Sequence, residues 1–180
     1  IELFLVNGTA DSLITAELSN WNGKAIKIPR TEVSGCNRDD VKGAGVYFLI
    51  CQEDDGTDSV YIGEAENVQD RLVQHLREYQ SGKEKYYWNT AVIFVGRDLN
   101  KALIRYLENR FVEIARECGR YAVLTKNTYK NTVMKESQIA SMEEFIDNVK
   151  ILINTLGYKV LVPAPKATDD TVYLYCKGSG

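Results

Sequence analysis

The sequence predicts an α+β fold, a small and mostly antiparallel central sheet flanked by helices. Three observations point there. Apolar runs of strand length (LITAEL, KAIKI, GVYFLIC, SVYIG and AVIFVG) fill the first hundred residues. Residues 67–80 and 98–118 carry apolar side chains at helical spacing. GVYFLIC and SVYIG flank a short acidic, glycine-containing loop, QEDDGTDS, the pattern of an antiparallel hairpin.

The elements follow in order. Residues 1–35 read as a β-meander, IELFLV, LITAEL and KAIKI, with turns at Asn7-Gly8 and Asn22-Gly23, because both residues of such a turn must accept positive φ. The polar block from Glu32 to Lys42 reads as a loop. The 45–51 and 59–63 strands come next. A helix over 67–80 follows, with Asn67 as N-cap and Val68, Leu72, Leu76 and Tyr79 on its apolar face. A basic, aromatic stretch, KEKYYWN, leads into the 91–96 strand. The 98–118 helix carries a broad stripe of Leu99, Leu103, Tyr106, Leu107, Phe111, Ile114 and Cys118, and Gly119 stops it. A last helix is expected over 142–156, with Ser141 and Glu144 as a capping box and Gly157 as terminator. YKVLVP and TVYLYC read as two late strands.

Composition bounds the function. The 180 residues are 44% hydrophobic and 26% charged, which suits one domain or one domain with a small appendage. No apolar run approaches the roughly 20 residues of a membrane span. The net charge of −3 argues against a highly basic nucleic-acid coat protein. The single histidine, His75, excludes zinc sites built from two or three histidines. Cys36, Cys51, Cys118 and Cys176 have neither zinc-ribbon spacing nor disulfide-scaffold density, so reduced thiols in a cytoplasmic protein are expected. The chain opens on Ile1 without a signal-peptide pattern, and a fragment of a longer protein is expected, divided as 1–40, an N-terminal β extension, 41–135, the central domain, and 136–180, a helix with strands leading into a further domain.

Charge is unevenly spread. Between Glu64 and Lys130 stand 12 basic and 9 acidic residues, against 10 and 16 elsewhere. A mildly basic centre suits a phosphate-bearing partner, and equally a helix surface laced with ion pairs. On the first helix Arg71 and His75 are stacked neighbours, about 60° and 20° from Val68 and so against the apolar stripe. Buried charge needs partners, and a bound phosphate would satisfy both; His75 by itself reads first as a hydrogen-bonded core histidine. On the second helix Glu108 lies at the edge of the apolar stripe beside Ile104, Phe111 and Ala115. A carboxylate there is an ion-pair partner, a packing compromise or a ligand for a hard divalent cation. Tyr47 and Tyr61 stand in strands beside Gly45 and Gly63, where close backbone approach is possible.

Gly45-Val46-Tyr47, then Tyr61-Ile62-Gly63, then Arg71, His75 and Glu108 in that order and spacing resemble the GIY-YIG nuclease family, over roughly residues 44–130. Val46 replaces the family's isoleucine, a conservative apolar exchange. The resemblance implies a divalent-metal-dependent endonuclease acting on DNA, in a bacterial cytoplasm and without membrane association; RNA is a further possible substrate, and a non-catalytic nucleic-acid or protein interaction module is the alternative. It implies Tyr47 as general base or water-orienting group, Tyr61 lining the site, Arg71 holding the scissile phosphate, His75 assisting the tyrosine, and Glu108 as ligand of one Mg²⁺ or Mn²⁺. Asn127, or else Asn131, matches the family's late asparagine. A nearby cation and a hydrogen bond from His75 are expected to favour the anionic form of Tyr47, whose free pKa is about 10.

Overall fold

The structure, a computed structural model, describes residues 1–126 and 133–165. Seven strands, β1 (Glu2–Leu5), β2 (Ile14–Glu17), β3 (Gly23–Pro29), β4 (Gly45–Gln52), β5 (Asp58–Ala65), β6 (Thr90–Gly96) and β7 (Ala122–Val123), form one sheet in the order β1-β2-β3-β6-β4-β5-β7. Every pairing is antiparallel except that of β5 with β7. The α+β architecture is as predicted, but the sheet is not small. The N-terminal meander joins it, because β3 pairs with β6 from Gly23↔Gly96 to Pro29↔Thr90.

Strand β4 shows how the faces are assigned. Side chains alternate across a strand. Val46, Phe48 and Ile50 point to one face, where α2 (Lys101–Cys118) and α3 (Glu136–Thr155) cover them with Leu107, Phe111 and Val149. Tyr47, Leu49 and Cys51 point to the other, with Val68 and Leu72 of α1 (Val68–Gln80) and with Trp88. Among the described residues both faces are buried along β4, which explains why GVYFLIC is a continuous apolar run rather than an alternating one.

The helix ends obey local chemistry. The Asn67 side chain accepts from the Asp70 N–H at 3.1 Å, fixing the start of α1 at the end of β5. Asn100 caps α2 in the same way, accepting from Leu103 N–H at 3.0 Å, so that helix begins at Lys101 rather than 98. Gly119, with φ of 67°, ends it as expected. Helix α3 begins at Glu136, well before 142. Its first turn is closed by the Gln138 side chain accepting from the Lys135 N–H at 3.1 Å, which leaves Ser141 and Glu144 inside the helix rather than capping it. Gly157, at φ of 101°, completes a Schellman ending in which Tyr158 N–H donates to the Ile153 carbonyl at 3.0 Å.

Other expectations are corrected. The second hairpin turns at Asn20, with φ of 64°, and Gly23 already belongs to β3. The polar block after β3 holds two 3₁₀ turns, Arg30–Glu32 and Asp39–Lys42, because Val33 and Val41 anchor it into the α1 face. YKVLVP is no strand: Val160 and Leu161 pack onto the α2–α3 core. Its backbone is held instead by Arg120 Nε donating to the Val162 carbonyl at 2.9 Å. Tyr79 is exposed, its ring lying over the Arg30 guanidinium at 4.9 Å. TVYLYC, Cys176, Asn127 and Asn131 lie outside the described residues. Among the described residues Cys36, Cys51 and Cys118 are free thiols, and no helix is long and apolar enough to cross a membrane.

Candidate active site

The β4–β5 hairpin pairs Tyr47 with Gly63 and Leu49 with Tyr61, and directly opposed residues share a face. Both tyrosines therefore lie on the α1 side, with ring centroids 6.3 Å apart. The two motif glycines have separate tasks. A Cβ on Gly45 would collide with the Phe94 carbonyl of β6, and one on Gly63 with the phenol oxygen of Tyr47. Gly45 thus permits strand approach, while Gly63 makes room for the hydroxyl group.

Helix α1 leaves the end of β5 and returns beneath these rings. It delivers His75, only 2% exposed, to the tyrosines: Tyr47 Oη and His75 Nε2 are 2.9 Å apart, and the Tyr61 and His75 rings meet edge-on at 5.1 Å. On the far side of the imidazole, Nδ1 lies 3.1 Å from Oε2 of Glu84. Glu84 comes from the segment KEKYYWN, which reads in sequence as exposed and basic, yet its side chain is 3% exposed. No one-dimensional pattern singles it out. Tyr86, two residues on, lies against Tyr61 with centroids 5.8 Å apart, and burial with the Glu84 charge raises its phenol pKa.

Burial dominates the electrostatics of Tyr47. It pushes the phenol pKa well above 10, the Tyr61 and Glu108 charges add to the rise, and Arg71 opposes it. In the metal-free protein burial thus works against the expected anionic tyrosine, because loss of water outweighs the nearby guanidinium.

Arg71 is the charge common to both sides of the hairpin end. It opposes the rise in pKa that burial gives Tyr47, Tyr61, Glu64 and Glu108. Among the described residues its Nη1 is buried without a hydrogen-bond partner, and the nearest carboxylate oxygen, Oε1 of Glu78, is 3.6 Å away. A guanidinium with a spare donor beside two tyrosines suits an oxyanion ligand.

Glu108 projects from α2 on the opposite face. It is 5% exposed, and burial pushes its carboxyl up to about 8, helped by Glu64 and opposed by Arg71 and Arg105. Glu64 immediately follows the second motif and, paired with Val46, shares the α2 face. The Glu64 charge raises the proton affinity of the buried Glu108, and the two carboxylates offer oxygen donors for a hard divalent cation, which would relieve both the burial and the like-charge penalty on Glu108. Sequence reasoning missed Glu64; its place directly after Gly63 was the available signal.

A second ligand-like cluster exists. His75, Glu78 and Glu84 bring one potential ligand atom each within 4.8 Å of one another. Its geometry is that of a hydrogen-bonded network: Nδ1 is engaged by Glu84, and Glu78 accepts from Gln74 at 2.9 Å.

The site opens at the sheet edge. Strand β7 reaches only Ser59 and Val60, and the Thr125 hydroxyl takes over at Ile62, accepting from its N–H and donating to its carbonyl, both at 2.8 Å. Among the described residues no strand follows beside Gly63–Ala65.

Residues 43–121 match the family model described as the GIY-YIG catalytic domain. This segment belongs to the GIY-YIG family. No curated protein and no solved structure matches the chain. The GIY-YIG segment takes in β4, β5, α1, β6 and α2, and hence every residue of the cluster above. It places the domain in a nuclease superfamily whose members act on nucleic acid and in general use a divalent metal.

Proposed function

We propose that the chain is a divalent-metal-dependent endonuclease that hydrolyses DNA phosphodiester bonds. The observation that carries the reading is the hydrogen-bonded pair Tyr47–His75, with Arg71 acting by its charge on both Tyr47 and the buried carboxylate Glu108. A merely structural domain has no need to bury a carboxylate at the edge of an apolar helix stripe and an arginine nitrogen without a partner.

The roles follow from the positions. Arg71 holds the scissile phosphate through its planar donors. Tyr47 orients the attacking water and accepts its proton, and Tyr61 walls the site and holds Arg71 in place. Glu108, with Glu64 beside it, would hold one Mg²⁺ or Mn²⁺. Such an ion supplies Lewis-acid stabilisation of the leaving 3′-oxygen. The mildly basic segment from Glu64 to Lys130 favours approach of a polyanion despite the acidic total.

The test is a panel of supercoiled, linear, flap and branched DNA with Mg²⁺ or Mn²⁺. Wild type nicks or cleaves at least one of them, and Arg71→Ala and Glu108→Ala do not. Activity that both variants retain contradicts the site. Cleavage of RNA alone contradicts the substrate class.

A further inference from the structure

We infer that Glu84 is a positioning residue that fixes the tautomer of His75 and so makes Tyr47 the first member of a Tyr47–His75–Glu84 proton relay. The inference rests on the nuclease reading and deepens it.

The geometry sets the direction of the relay. A neutral imidazole has one N–H and one bare nitrogen, and the partner of one decides the state of the other. Glu84 Oε2, 3.1 Å from Nδ1, offers that nitrogen only an acceptor, so Nδ1 carries the hydrogen and donates it. Nε2 is then bare, and across 2.9 Å it accepts the hydroxyl hydrogen of Tyr47. The tyrosine oxygen keeps its lone pairs for a water. The opposite tautomer would make His75 donate to Tyr47 and would leave two acceptors facing each other at Glu84.

Burial argues that the carboxylate is there for this purpose. The Glu84 side chain is 3% exposed, and its second oxygen, Oε1, has no hydrogen-bond partner among the described residues. Burying a carboxylate with incomplete partners is costly, and an apolar side chain of the same volume would serve packing better. The cost is offset when a positive charge forms beside it, as it does when His75 takes a proton. A preformed phenolate is not needed, which agrees with the upward direction in which burial moves the Tyr47 pKa.

The step balances. The water oxygen forms the new bond to phosphorus while its proton passes to Tyr47 Oη. The hydroxyl proton of Tyr47 passes to His75 Nε2. The bond from phosphorus to the 3′-oxygen breaks, and the electron pair leaves on that oxygen, which takes a proton from solvent. The imidazolium, paired with the Glu84 carboxylate, returns its proton through Tyr47 to solvent, restoring the starting state. No oxidant or further co-reactant is required.

The single histidine makes the test direct, since the imidazole ¹⁵N spectrum of the intact chain holds one residue's signals. In wild type at a pH where His75 is neutral, the spectrum is expected to show hydrogen on Nδ1 and a bare Nε2; hydrogen on Nε2 overturns the inference without any variant. Glu84→Gln keeps the volume and removes the charge. It is expected to move hydrogen toward Nε2 and to lower kcat by about 10²- to 10⁴-fold with unchanged affinity for DNA, while Glu84→Asp recovers part of the rate. A Glu84→Gln enzyme with wild-type kcat overturns the relay even while Arg71→Ala is inactive, which leaves the nuclease reading standing. Wild type that cleaves nothing in the DNA panel fails the nuclease reading and with it the catalytic role of Glu84, while the spectrum still reports the tautomer. Stoichiometric replacement of the Nδ1–H signal by that of a metal-bound nitrogen on titration with diamagnetic Zn²⁺ makes His75, Glu78 and Glu84 a metal site and overturns the inference.

Discussion

The two faces of the β4–β5 hairpin are made by alternate residues of the same two strands and do opposite things. Facing α2 and α3, Val46, Phe48, Ile50, Val60 and Ile62 join an apolar core in which aromatic rings meet edge-on, Phe48 with Phe94 at 5.7 Å and with Phe111 at 5.3 Å. Facing α1, Tyr47 and Tyr61 meet His75, with Glu84 behind it, in a buried polar chain. The apolar face tolerates no missing volume, because close packing leaves nothing to refill a void. The polar face holds groups whose burial is unfavourable unless each finds its partner. The two faces communicate at one end, where Glu108 on the apolar side reaches the charge of Arg71. The face of the hairpin that a side chain occupies, rather than its depth in the protein, separates Phe48 from Tyr47.

The comparison can be broken at either face. The largest change in stability is expected from Phe48→Ala. It removes a fully buried ring between two others, and about 3–5 kcal/mol should be lost in chemical denaturation. A loss below about 1 kcal/mol would mean that this face is not the rigid one. Gly63→Ala is expected to be intermediate, costing about 1–3 kcal/mol because the new methyl group meets the Tyr47 hydroxyl group, and it should reduce cleavage by displacing that group. Unchanged cleavage would show that the position of Tyr47 above Gly63 does not matter to the chemistry.

Glu108→Gln sharpens the meeting point of the faces. The folded-state pKa of Glu108, about 8, lies above the ordinary 4.5, so the protonated carboxyl favours the fold. That contribution is fully present below about 4.5 and is lost as pH rises through about 8. In metal-free protein, Glu108→Gln should therefore match wild type at acidic pH and exceed it in Tm above pH 8. Addition of Mg²⁺ or Mn²⁺ should raise the Tm of wild type and not of the variant. A variant less stable than wild type at high pH would contradict the burial account. The smallest effect is expected at the half-buried pair Arg110–Glu143, whose closest atoms are 3.0 Å apart. Glu143→Gln should cost at most about 1 kcal/mol and leave cleavage untouched.

Much of the fold was legible because local chemistry decided it. Asn67, Gly119 and the apolar spacing of α1 and α2 are short-range signals, and the 45–51, 59–63 and 91–96 strands are apolar runs of strand length. What was illegible depends on distant partners. Nothing in KAIKI announces that β3 will lie beside β6 and enlarge the sheet. The pair Ser141 and Glu144 looks like a cap, yet Gln138 closes the turn earlier. The candidate site divides in the same way. Tyr47, Tyr61, Arg71, His75 and Glu108 stand out by motif and spacing. Glu84 lies in a segment that looks solvated, and only its contact with His75 reveals it. The direction in which the Tyr47 pKa moves was illegible because burial is a property of the whole fold.

The central claim is that the polar face performs chemistry that the fold itself does not require. Tyr47→Phe tests it most directly, since the ring that packs on the sheet is kept and only the hydroxyl group is removed. The account predicts cleavage of the DNA substrate slower by about 10²- to 10⁴-fold, with a loss of stability of about 1–3 kcal/mol from the unpaired His75 nitrogen. Cleavage at the wild-type rate by a folded Tyr47→Phe protein would contradict it.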